Sequence, residues 1–484
     1  MEDIRMNELK NIFKEYYTLN DIGGILFWDN ATYLPQGSSE SRSEQLAVLS
    51  KLSDKTLRGD QIKNIINSIV VNNLSDFDKK NFALMKNIIR QENSVDPLLK
   101  EKLTRKKIQC EQAWRVSKEK NDISIVRELF NDVLALTKEE AKQLSSNSTN
   151  SPYDSLINKY DMDLSSKTID DLFSVIPNNI IPTYLNINKI HSTSIPSLHM
   201  TNSDLLNEMK IFLKALKFDF NRGRIDLSSH PFCGGANNDI RITTRFEKNV
   251  FESLSALFHE TGHGLYEQNR PSNNLYQPIG QARSLTFHES QSLFFENHIF
   301  KSLNFFSLIM KKFNNQEDLL NIFKQNYHSV RINPIRVSSD EFSYPIHIYI
   351  RYEIEKIIFS EDIDLSDIKE IWNKMYKDML DIDVTNDSEG ILQDIHWFEG
   401  MYGYFPTYAT GAMMASQLKY NCPSYDQFIT SPNVNNIEDI SQWLIDNVHQ
   451  FGSELSTSEI LNKISHEDLN PNYLVKHLKE RFKV

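Results

Sequence analysis

The chain has 484 residues, 40% of them hydrophobic, enough to bury a sizeable core, and its formal net charge of −12 disfavours nucleic acid as a partner, since phosphate binding needs a basic surface. No apolar run approaches a membrane span and the start, MEDIRMNELK, is charged rather than a signal peptide, so no membrane contact is expected and a cytoplasmic location is. Three cysteines (Cys110, Cys233 and Cys422), odd in number and far apart, predict neither a disulfide framework nor a cysteine metal site.

Low Gly and Pro, 15 each, with many amphipathic segments, predict a mostly α-helical protein. In chain order the expected helices are Met6–Phe27; Ser75–Glu92, with Ser75 as cap and Asp78 three residues on; Asp96–Lys118, with Asp96 as cap and Pro97 in the first turn; Ile123–Leu144; and Ile169–Ile190. A chain this long would often divide into two or three domains. The polar run Ser145–Ser151 is the best boundary candidate, yet it is only a loop, so one domain over 1–484 is expected. Asp239–Arg245 and Val330–Val337 are weakly strand-like and predict a small β element near the site.

The next segment carries chemistry. His259-Glu260-Thr261-Gly262-His263 places two histidines four apart, hence on one helix face, with a glutamate able to hold and deprotonate a water beside the ion they share. Asn249 as cap, Glu252 three residues on, and a stripe of Phe251, Leu254, Phe258 and Leu265 read as helix. Gly262 leaves room there for another backbone, and Asn269, Arg270 and Pro271 end the segment. A buried helix carrying two core histidines is the plainer alternative, but two His and one Glu are costly to bury without partners.

A catalytic metal site needs a third ligand. Asn269 stands where a metzincin has its third His, and Glu267 is too far along the same helix. The ligand is therefore expected on the segment Ser284–Phe300, which offers His288, Glu289, Glu296 and His298. Spacing leaves Glu289 and Glu296 both open. Farther on, Tyr344–Tyr352 puts His347 and Arg351 on one helix face with Tyr344 near it, where Arg351 either serves the site or pairs with Glu355 or another carboxylate.

These residues resemble the carboxypeptidase Taq family of metallopeptidases. HETGH is followed by His288-Glu289-Ser290-Gln291, similar to that family's HESQ element. His230-Pro231-Phe232 resembles its HPF element, Asp239 to Thr243 its DxRxT, Tyr344 to Glu353 its YPxHxxxRYE, Gly390 to Trp397 its GxxQDxHW, and Gly403 to Gly411 its C-terminal aromatic motif. Leu26 to Asp29 with Leu34-Pro35 is similar to its N-terminal stretch, with Leu34 in place of Met, and Thr261 stands where Gly is common. The match covers nearly the whole chain.

The resemblance implies a single large helical body with a deep active-site groove, of the neurolysin-like type, and a homodimer. It also implies one Zn²⁺ per chain, with Co²⁺ or another divalent ion as substitute, held by His259, His263 and Glu289. The expected reaction is removal of single C-terminal residues from peptide substrates, with Glu260 as general base. His347 and Tyr408 are the expected electrophilic partners for the developing oxyanion. Arg351, Arg241, Tyr352, His230, Asp394 and His396 are expected to bind substrate. A guanidinium matches a terminal carboxylate best, so Arg241, Arg245 and Arg351 are the candidates for that contact, although Arg241 has a structural alternative as partner of Asp239. Two other function classes are an oligopeptide endopeptidase, which would not require an arginine for the terminus, and a metal-binding scaffold, against which Glu260 speaks.

Overall fold

The computed structural model describes residues 4–146, 148–190, 202–228, 230–246, 250–310 and 316–484. The chain is mostly helical, as composition predicts. Helix Ile4–Thr32 buries Met6, Leu9 and Phe13 against Leu57, Ile62, Phe82 and Met85, forming a small core distinct from the main one. The main core runs from Val95 to Phe482 and takes in both flanks of the HETGH segment.

Capping fixes several boundaries. Ser75 accepts from Asp78 N at 3.1 Å at the start of helix Asp76–Ser94. Asp96 accepts from Leu98 N at 2.9 Å ahead of helix Pro97–Lys120, where Pro97 has no N–H to leave unpaired. The expected Ile123–Leu144 helix is a short 3₁₀ turn followed by Arg127–Ser145, and Ser151 then caps the next helix, Pro152–Ile157, across the polar loop.

Ile169–Ile190 is helical up to Asn186, as Ser166–Phe173, a π-helical turn Ile176–Ile180 and Ile181–Asn186, with the linking residues Ser174 and Val175 in the right-handed helical region. Pro177 and Pro182 each remove a donor and crowd the preceding turn, and the winding loosens to π there without a break. One expectation fails: among the described residues Val330–Val337 joins no sheet. Arg331 makes an isolated bridge to Ile190, and the backbone then turns at Arg336–Ser338, after Pro334.

The β element contains β1 (Gly223–Leu227), β2 (Cys233–Ala236) and β3 (Asp239–Thr244), in the order β1-β3-β2, with β1 parallel and β2 antiparallel to β3. Helix Ile4–Thr32 is pinned to this sheet. Asp226 of β1 accepts from Trp28 Nε1 at 2.9 Å and from Tyr33 Oη at 2.8 Å, and the Trp28 ring packs on Phe232 at 4.8 Å between centroids. The three thiols are unpaired, and among the described residues no helix is long and apolar enough to cross a membrane.

Candidate active site

The HETGH residues lie in helix Val250–Gln268, whose apolar stripe (Phe251, Leu254, Phe258, Leu265) is buried as its period predicts. The expected cap, Asn249, lies outside the described residues. Gly262 has the purpose its size suggests: a Cβ there would meet Gln291 O at 2.3 Å and Ser292 Cα at 2.6 Å, so only glycine lets helix Leu285–Leu293 lie this close. Ser284 caps that second helix by accepting from Phe287 N. The segment then continues to Phe300, as expected, but with π-helical winding over Phe294–Phe300.

This crossing gathers three ligand-type groups. His259, His263 and Glu289 offer atoms that all lie within 4.8 Å of one another. Glu289 Oε2 is 4.0 Å from His259 Nε2 and 3.8 Å from His263 Nε2, so both rings turn the same nitrogen toward one carboxylate. Glu289 is itself held in place by close packing, since a Cβ on Gly411 of helix Pro406–Tyr420 would touch its Cβ and Cγ at 2.8 Å.

Glu296 sits on the other side of His259. Its Oε2 is 2.8 Å from His259 Nδ1, while Ser255 Oγ and Lys301 Nζ lie 2.9 and 2.8 Å from Oε1. A carboxylate on Nδ1 leaves Nε2 to face a metal, the usual role of an outer partner. On His263 that place is taken by His288, whose Nδ1 is 2.7 Å from His263 Nδ1.

The electrostatics suit a cation. Burial raises the Glu260 carboxyl to about 7, with Glu289 and Glu296 adding to the rise and His259 opposing it. Burial and Glu296 also raise Glu289. Burial works against charge on His259, yet Glu296, Glu289 and Glu260 outweigh it and push its imidazolium up to about 10. His263 is driven well below its ordinary value by burial and by the charges of His288 and His259. Two imidazoles and crowded carboxylates at this spacing fit a divalent ion of nitrogen- and oxygen-binding character.

A second group, His298, Glu341 and His477, also brings ligand-type atoms together. It is an ion-pair cluster instead. Glu341 already bonds His477 Nε2 at 2.7 Å and Arg481 Nη1 at 2.5 Å, and Lys419 Nζ is 3.1 Å from His477 Nδ1. Two cations in contact with the donors oppose a third.

The remaining expected residues fall in different places. Arg351 is wholly buried, and its donors reach Asp394 Oδ2 (2.8 Å from Nε), Gln393 Oε1 (2.8 Å) and His347 O (2.6 Å). Direct contact with substrate is therefore corrected, because the guanidinium has no open face, and the alternative of a buried carboxylate partner holds, with Asp394 in that place. Tyr352 is also corrected: it is buried, and its hydroxyl bonds Ser166 O and Asp170 Oδ1, away from the ligands. His347 is fully buried with Nδ1 3.0 Å from Tyr376 Oη, and burial with Arg351 and Arg336 nearby holds it well below its ordinary pKa. Arg241 pairs with Asp239 at 2.9 and 2.5 Å, the structural alternative. His230 is exposed and does not belong to the ligand-type group of His259, His263 and Glu289. Arg245 lies just past β3, partly buried.

Asp394 accepts from both Arg351 and Arg336, whose Nη2 is 2.8 Å from Oδ1. Arg336 is the residue the sequence did not suggest. Its guanidinium lies over Tyr408 at 5.0 Å, its Nη1 is 3.3 Å from Tyr344 Oη, and its charge favours the ionised Glu289. Tyr408 Oη is 3.4 Å from His396 Nε2, and burial lowers that imidazole to about 4. Tyr404, also unforeseen, feels the charges of Glu289 and Glu260. Arg336 stands in a loop misread as a strand, where no periodicity marks it.

The family described as carboxypeptidase Taq (M32) metallopeptidase matches residues 8–482. The chain is 30% identical to Carboxypeptidase 1 of Bacillus subtilis, over 98% of this chain and 97% of that one. It is 29% identical to Thermostable carboxypeptidase 1 of Pyrococcus furiosus, over the full length of both. Among solved structures, Trypanosoma cruzi metallocarboxypeptidase 1 superposes with a TM-score of 0.92 at 30% identity, covering 99% of each chain. Sequence and fold thus agree on one assignment: the chain belongs to the carboxypeptidase Taq (M32) family of metallopeptidases and is a metallocarboxypeptidase.

Proposed function

We propose that His259, His263 and Glu289 hold a single zinc ion and that Glu260 is the general base for removal of C-terminal residues from peptides. The observation that carries this is the convergence of two Nε2 atoms on Glu289 with Nδ1 of each ring already engaged. Zinc held there supplies Lewis acidity and lowers the pKa of water toward neutrality. Glu260, one residue after His259 and raised to about 7 chiefly by burial, is poised to take a proton and return it to the leaving amine.

For the substrate's terminal carboxylate we favour Arg336. It is oriented by Asp394 and Tyr344 and flanked by Tyr408, whereas Arg351 acts through Asp394. Tyr408, with Tyr404 beside it, is the hydroxyl best placed to support the oxyanion. The homodimer remains part of this reading. The exposed Ile22, Phe27, Val48 and Leu52 of the first two helices suit such an interface, and light scattering in solution tests it.

The deciding experiment is digestion of a mixed peptide followed by mass spectrometry. Single-residue losses from the C-terminus, abolished by a chelator and restored by zinc, are expected. Internal cleavage, or a ladder indifferent to chelation, would replace this reading.

A further inference from the structure

His263 can offer Nε2 to a metal only when its proton sits on Nδ1, because a neutral imidazole carries one N–H. That proton needs an acceptor. The atom 2.7 Å away is His288 Nδ1, which can accept only if the His288 proton is on its own Nε2. His288 Nε2 lies 2.7 Å from Glu267 Oε1, an acceptor as long as it is ionised. Arg270 keeps it so: Nη2 is 2.7 Å from Glu267 Oε2, and although burial opposes it, Arg270 and His288 lower this carboxyl to about 2. Arg270 is in turn fixed by Gly280 O, Gln281 Oε1 and Asn237 Oδ1. With a metal on His263 Nε2, only one arrangement of protons gives each of the two histidine bonds a donor and an acceptor.

We propose that His288, backed by Glu267, is a positioning residue for the metal site, fixing His263 in the tautomer whose Nε2 lone pair faces Glu289. This rests on the ligand set proposed above. The two ligands are then oriented differently: His259 directly by a carboxylate, Glu296, and His263 through an intervening imidazole. The competing role for His288 is packing, since its ring also lies against Tyr266, with centroids 5.4 Å apart.

Asparagine and phenylalanine separate the two roles. An Asn oxygen takes roughly the place of a histidine Nδ1 and can accept the His263 proton, but it loses the ring. Phenylalanine keeps the ring and loses the acceptor. The measurement is the affinity of the metal-stripped full-length chain for zinc, by competition with a chromophoric chelator, with thermal unfolding to verify folding. His263→Ala should lose affinity by more than about 100-fold, and wild-type affinity there would remove the ligand set itself. With His263→Ala weakened, His288→Asn should stay within about threefold of wild type, while His288→Phe should weaken by about 10- to 100-fold, the scale of a lost outer partner. Any other order, including equal affinities, overturns the relay and leaves the ligand set standing. Glu267→Gln should weaken binding about tenfold when His288 is present and by less than about threefold in the His288→Phe background. Losses that simply multiply would contradict coupling through His288. If His288→Phe does not fold, Glu267→Gln decides alone, with wild-type affinity as the contradicting result.

Discussion

Arg351 gives its charge to Asp394: Nη2 and Nε lie 2.6 and 2.8 Å from the same carboxylate oxygen, and the arginine is 0% exposed. The other oxygen of Asp394 takes Arg336. One buried carboxylate therefore sets two guanidiniums, of which only Arg336 also reaches the tyrosines beside Glu289.

Arg336→Gln should accordingly impair free-acid peptides selectively. Loss of one charge-assisted contact of about 2–4 kcal/mol lowers kcat/KM by about 30- to 1,000-fold. With the same peptides amidated, which wild type should already cleave poorly, the difference should shrink sharply. An equal loss on both substrate types would assign Arg336 to structure.

Arg351→Gln should act through the fold. Removing one partner from a buried ionic cluster leaves Asp394 short of charge and costs about 3–5 kcal/mol of stability. Denaturant unfolding should show that loss, and activity should fall alike on free-acid and amidated peptides. A variant as stable as wild type with a defect confined to free acids would return Arg351 to the substrate site.

The two glutamates on either side of His259 should separate in metal content. Glu289→Ala removes a proposed ligand and should leave the purified protein without metal. Glu296→Ala removes an orienting partner and should keep the site able to fill, with affinity weaker by about 10- to 100-fold. Elemental analysis and chelator competition distinguish them, and full metal in Glu289→Ala would contradict the assignment.

The C-terminal helix should carry an acid-sensitive lock. Burial opposes charge on Glu341, but Arg481 and His477 outweigh it and hold the carboxyl well below its ordinary 4.5. Because the folded value is depressed, the stabilisation is complete above the unfolded value and is lost as pH falls toward the folded one. Glu341→Gln should therefore cost about 3 kcal/mol at pH 7, and the gap from wild type should narrow between about pH 5 and 3. A gap independent of pH would exclude this ion pair as its source.

Much of the site was legible because helical spacing is local. His259, Glu260, His263, the small Gly262 and the caps Ser75 and Asp96 follow from residues within one turn. The choice between Glu289 and Glu296 was not legible from spacing. They lie seven residues apart on one segment, and only the crossing with the motif helix shows which side of the His259 ring each occupies. Arg336 and Arg351 were unreadable for another reason. Both are arginines near tyrosines in sequence, and the partner that buries one and aims the other, Asp394, is more than 40 residues away. The sheet was half seen: β3 alternates, but β1 and β2 are short, glycine-bearing and paired only through it. The π winding between Pro177 and Pro182 follows from two missing donors in one helical run.

The most direct test of the account is Glu260→Gln, which keeps side-chain volume and removes the basic oxygen. Its metal content and its turnover of a free-acid peptide are to be measured on the same preparation. The account predicts about one zinc per chain, as in wild type, and turnover lower by about 10²- to 10⁴-fold. Near-normal turnover in the metal-loaded variant would contradict it.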